Sequence, residues 1–113
     1  MVVLLILKII AAIATAVLGM VSFIRPRAIF SFTGLTAPEA RGISEIRSIF
    51  GGLFIALGVL AIFLGEPGFQ MLGISYLAVA LARLFSMMYD KSYARSNIIS
   101  LAFEVVFGVV LVI

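Results

Sequence analysis

Residues 2–24 read VVLLILKIIAAIATAVLGMVSFI, an apolar run broken by a single charge, Lys8. At 1.5 Å rise per residue, a helix of about 20 residues crosses the ~30 Å hydrocarbon core of a bilayer. No basic residue precedes the run, its apolar stretch exceeds the core of a secretory leader, and Ile24-Arg25-Pro26 is no small-residue cleavage site. It is therefore expected to be a retained transmembrane helix.

Three similar runs follow. They cover about Ile46–Leu64 with Arg47 in the first turn, about Phe69–Met88 containing Arg83, and Asn97–Ile113 containing Glu104. The sequence thus predicts an all-α integral membrane protein, a four-transmembrane-helix bundle forming one domain over residues 1–113. Composition agrees, because 65% of the residues are hydrophobic and only 12% charged. Soluble domains carry about 45–50% apolar and about 25% charged residues. So small a sphere cannot hide that much apolar surface from water, and lipid removes the conflict.

The connections carry turn and cap signals. Gly65-Glu66-Pro67-Gly68 is expected to stop the second and third helices and fold them into an antiparallel hairpin. The short polar stretch Tyr89–Ser96 joins helices three and four in the same way. In the longer first connection, Arg25–Glu45, Pro26 opens a short interfacial helix through Phe32 and Gly34 closes it. Phe30, Phe32 and Leu35 should then rest at the interface or plug one end of the bundle. Thr36-Ala37-Pro38-Glu39 has capping-box spacing, and Ser44 is placed to cap the second membrane helix.

Charge is lopsided. Arg25, Arg27, Arg41, Arg47, Arg83, Lys91 and Arg95 lie at or near the end that carries the first and third connections, whereas Lys8 alone belongs to the other end, where it is expected to snorkel outward. The positive-inside rule makes the arginine-rich end cytoplasmic and puts both termini on the non-cytoplasmic side of the cell membrane. The same rule accounts for the net charge of +3 without a nucleic-acid partner. Four-helix multidrug exporters of about this length insert both ways, which needs near-balanced charge, and they carry a working glutamate in the first helix where this chain has lysine. With no cysteine or histidine and only five carboxylates, no metal site and no cofactor is expected.

Ionisable residues inside spans cost about 2.5–3.5 kcal/mol each and face the bundle interior. Arg83 should lie roughly 7–8 Å from the arginine-rich surface and Glu104 about 10 Å from it, so the two can meet. Glu45, Arg47, Ser86 and Asp90 lie nearer that surface, and the six are expected to form one intramembrane polar cluster. Tyr76 shares a helix face with Arg83, seven residues away. Tyr76, Ser48 and Gly52 are candidates for lining a ligand site. Small residues recur at spacings of three and four: Ala12, Thr15 or Ala16, and Gly19; Ser48, Gly52 and Ala56; Ala78, Ala82 and Ser86; Ser100, Glu104 and Gly108. Such stripes let membrane helices approach closely, within one chain or across a homodimer.

Glu45-Ile-Arg47-Ser-Ile-Phe50-Gly51-Gly52 resembles the E-x-R-x-x-[YF]-G-G signature of the small four-helix membrane proteins of domain of unknown function 4345. Arg83-x-x-Ser86-x-x-x-Asp90 and Glu104 are similar to that family's remaining polar positions, so the likeness covers nearly the whole chain. Phe50 stands where tyrosine is common, and Lys91 follows Asp90 where glycine is usual. The resemblance implies an architecture like that of DoxX-like membrane proteins, and no activity.

Three classes of function fit these residues. The first is a structural or accessory membrane protein, locked by a buried arginine–carboxylate cluster and partnered by the bilayer. The second is a binder or carrier of an apolar or amphipathic, lipid-like small molecule. The third is a membrane enzyme using Glu104 as the catalytic acid or base on a lipid-soluble substrate; without histidine, cysteine or metal, its chemistry is confined to carboxylate, tyrosine and arginine.

Overall fold

The computed structural model describes residues 1–113 and is all-helical. Four helices are long and apolar enough to cross a membrane: α1 (Val2–Ile24), α3 (Ala40–Leu64), α4 (Glu66–Tyr89) and α5 (Arg95–Val112). Between α1 and α3 a 3₁₀ turn, Pro26–Ile29, runs into the short helix α2 (Phe30–Thr33), which Gly34 closes at φ +78°. Only 22 of 113 residues are buried, and large apolar side chains such as Phe63, Leu81 and Phe85 point outward on the spans. That distribution fits an acyl-chain solvent and not water.

Each helix packs chiefly on its neighbours in sequence, α1 on α3, α3 on α4 and α4 on α5, while α1 also touches α5. Missing side chains set the close approaches. A Cβ on Gly58 would sit 2.5 Å from the Ala12 carbonyl oxygen, and one on Gly19 would sit 2.6 Å from the Ile55 nitrogen. Between α4 and α5, a Cβ on Gly73 would meet Leu111 Cβ at 2.7 Å. Backbones this close gain the dispersion contacts that hold membrane helices together.

On α1 and α5 the expected small faces do turn inward: Ala12, Thr15 and Gly19 are buried, as are Glu104 and Gly108. The other two stripes require correction. Ser48, Gly52 and Ala56 are exposed, and α3 instead buries Gly51, Gly58 and Ala61. The reason is local: Ile46–Leu53 is π-helical. Its wider i→i+5 turns move residues around the axis differently from a 3.6-residue turn, so a four-residue spacing no longer tracks one face. On α4, Ala78 and Ala82 are also exposed. The buried seam there is Phe69, Leu72 with Gly73, Ala80 and Met87, with Tyr76 and Arg83 half-buried along it. That seam keeps the helical three-and-four rhythm.

The turns are tighter than expected. α3 begins at Ala40, after Glu39 in an extended conformation (φ −123°, ψ 161°), without a side-chain cap. Ser44 therefore lies inside the helix and caps nothing, and the Thr36–Glu39 box does not form. Between α3 and α4 only Gly65, at φ +70°, is non-helical. Pro67 and Gly68 belong to the first turn of α4 and do not separate the helices, because proline there forfeits only an N–H that has no helical partner. In the first connection, Ile29, Ala37 and Ile46 form a small buried cluster with Phe30, Ile43 and Phe50 packed around it, while Phe32 and Leu35 remain exposed.

Candidate functional site

Polar side chains meet inside the bundle at three depths. Nearest the chain termini, Lys8 on α1 is 3% exposed and its Nζ lies 2.5 Å from Glu66 Oε1 in the first turn of α4. Its ammonium also lies 6.0 Å from the centre of the Phe69 ring. Lys8 thus does not snorkel. It shares a helix face with Ala12, Thr15, Gly19 and Ser22, all but Lys8 itself small, and this face is turned into the protein. Deeper in, the hydroxyls of Thr15 and Tyr76 lie 2.5 Å apart, Thr15 also donating to the Ala11 carbonyl. Tyr76 presents its ring edge-on to Phe107 of α5.

Toward the arginine-rich end, Arg83 of α4 engages Glu104 of α5 through two parallel hydrogen bonds, Nε to Oε1 at 2.8 Å and Nη2 to Oε2 at 2.6 Å. Its Nη1 donates to Asn97 Oδ1 at 2.6 Å. Asn97 in turn donates through Nδ2 to the Ser92 carbonyl and hydroxyl, so the network runs from the buried glutamate to the α4–α5 connection. Each fully buried side-chain nitrogen and oxygen in the molecule has a hydrogen-bond partner. A planar guanidinium fork matches a carboxylate in this bidentate way, and charge-assisted bonds of this kind are about twice as strong as neutral ones.

The six residues expected to cluster are dispersed over four sites. Arg83 and Glu104 come together. Ser86 on α4 donates to Asp90, the residue just past the end of that helix, at 2.6 Å, and neither reaches Arg83. Glu45 pairs with Arg41 on the exposed start of α3. Arg47 donates Nη1 to the Phe23 carbonyl at 2.5 Å and lies over the Phe23 ring. Of the candidate lining residues, Tyr76 is half-buried in the bundle, whereas Ser48 and Gly52 are exposed on α3, so the three share no site. Two recesses flank the first connection, about 520 Å³ around Arg25, Arg27 and Arg47 and about 270 Å³ around Ala37, Ile46 and Phe50, and neither includes Arg83, Glu104 or Tyr76. No cluster of acidic side chains with metal-holding geometry is present.

The pairing of Asn97 with Arg83 and that of Lys8 with Glu66 were not anticipated from the sequence, although signals for both exist. Asn97 precedes Glu104 by seven residues and so shares its face. Lys8 continues the small-residue face of α1.

Four apolar spans, lipid-facing aliphatic surfaces and internally satisfied polar groups define a multi-pass α-helical membrane protein. The chain belongs to the family described as Domain of unknown function (DUF4345), whose model matches residues 3–113. No curated protein and no solved structure matches it. The signature stretch Glu45–Gly52 that carried the resemblance covers all but the last residue of the π-helical part of α3, Ile46–Leu53, where Gly51 meets Phe23 and Arg47 is bound to the Phe23 carbonyl.

Proposed function

We propose that the protein is a structural or accessory component of the cell membrane, and that the Arg83–Glu104–Asn97 network is its internal clamp. The observation that carries this reading is the bidentate pair itself, with the third guanidinium nitrogen committed to Asn97. A general acid must carry a proton on a carboxyl oxygen turned toward substrate. Both oxygens of Glu104 instead accept from Arg83, and neither recess opens onto them. That favours the clamp over Glu104 serving as a general acid. The bilayer is the partner that the lipid-facing side chains require. The arginine-rich end is assigned to the cytoplasm on the excess of seven basic side chains there over one at the opposite end.

A double-mutant cycle on the detergent-purified protein tests the clamp. Arg83→Gln and Glu104→Gln should each lower the melting temperature strongly, while the double variant recovers much of the loss. A Glu104→Gln protein that melts with the parent would sink the proposal and return Glu104 to the list of candidate working groups.

A further inference from the structure

Where α1 passes into the first connection, the recess of about 520 Å³ is lined by Ile24, Arg25, Pro26, Arg27, Ala28 and Arg47. Three of these six residues are arginines and none is acidic. The ion pairs of the molecule, Lys8–Glu66, Arg41–Glu45 and Arg83–Glu104, use none of the three, and the nearby Glu45 is already taken by Arg41. The backbone sets where the three side chains start, and one of them is also held by its own contacts. Arg47 is held by its bond to the Phe23 carbonyl and by the Phe23 ring, 6.0 Å below the guanidinium. Arg25 and Arg27 flank the buried Pro26, whose ring locks the chain at the turn. The recess opens at the end of a membrane-spanning helix, and beside it Phe23 and Ile24 are 48% and 60% exposed, an apolar flank beneath a cationic rim.

Three arginines lining one recess, none of them in an ion pair, offer guanidinium groups that match the oxygens of a phosphate group. We propose that Arg25, Arg27 and Arg47 form a binding site for a phosphate-bearing anion at the membrane surface. The apolar flank makes the headgroup of an anionic phospholipid the source that fits, its phosphate on the arginines and its acyl chains along Phe23 and Ile24. Free phosphate shares the headgroup's chemistry but has no use for the flank. The same charges would also serve topology alone, so the test must separate a built site from bulk charge.

The intact protein in mild detergent is presented with phosphatidylglycerol or phosphatidylcholine, and retained lipid is counted by native mass spectrometry. Retention of phosphatidylglycerol should exceed that of phosphatidylcholine by about tenfold. It should fall at least fivefold, on the order of what losing fixed charge contacts removes, in the variant Arg25→Gln/Arg27→Gln and again in Arg47→Gln. Lys91→Gln/Arg95→Gln removes equal charge from the same end outside the recess and should leave retention unchanged. The Arg25/Arg27 variant disturbs no ion pair, so its result stands even if Arg47→Gln weakens the fold. Added inorganic phosphate decides the source. Failure to displace the lipid assigns the site to a headgroup, and displacement assigns it to free phosphate. Equal retention of the two lipids overturns the proposal, as does a loss as large in the Lys91/Arg95 control as in the recess variants.

Discussion

Arg83 and Glu104, 21 residues apart in the chain, face each other across α4 and α5 with both carboxylate oxygens bonded to one guanidinium. The geometry needs a planar fork, and lysine cannot supply one. Arg83→Lys should therefore behave as a loss and not as a conservative change: the second bond to Glu104 and the bond to Asn97 disappear together. A destabilisation of about 1–3 kcal/mol is expected for groups left short of partners, read as a lowered melting temperature in detergent. Equal melting of the lysine variant and the parent would show that only the charge matters.

At the opposite end, the asymmetry between Lys8 and Glu66 sets a second expectation. Lys8 is almost fully enclosed while the Glu66 side chain is 59% exposed. Removing Glu66 strands a buried ammonium, whereas removing Lys8 leaves a carboxylate that water can reach and that the N-terminus of α4 favours. Glu66→Gln should cost about 3 kcal/mol, the low end for a broken buried pair. Lys8→Met, which keeps the shape of the stem, should be close to neutral. The reverse order in thermal melts would show that Lys8 draws its stability from elsewhere.

The packing of α1 on α3 makes a third prediction. Gly58→Leu must push a side chain into the Ala12 carbonyl and the Ala16 nitrogen, 2.5 and 2.6 Å from the new Cβ. Rigid backbone cannot yield cheaply, and overpacking of this sort costs about 1–3 kcal/mol or more. Gly52→Leu and Ala82→Leu place their side chains on exposed faces and should be tolerated in the monomer. If they are not, while Gly58→Leu is, those outer small faces are covered by a second copy or another partner, and crosslinking would reveal it.

Orientation is open to a direct measurement. The chain has no cysteine, so single cysteines report without background. A cysteine at Ser92 should be protected from an impermeant thiol reagent on intact cells and one at the C-terminus should be labelled, as the positive-inside rule requires. The opposite pattern would reverse the topology.

What the sequence determined by itself is the solvent, the number of spans and the end at which charge gathers. Each of these depends on sums over many residues: about 20 apolar positions make a span whatever their order, and seven arginines and lysines at one end bias insertion together. It also placed Arg83 and Glu104 at matching depths, because depth follows from residue counting along a helix. Which side chains touch was decided only by the tertiary structure. Contact depends on the rotation of each helix about its axis, and a π-helical stretch in α3 shifts that rotation enough to turn Gly52 out and Gly51 in. For the same reason the expected six-residue cluster became separate pairs: Ser86 and Asp90 satisfy each other locally, Glu45 satisfies Arg41, and the guanidinium of Arg83 finds its third partner in Asn97. Where several polar residues share one depth, sequence counting cannot choose among partners. The choice falls to helix rotation, since buried donors and acceptors must all be satisfied at once.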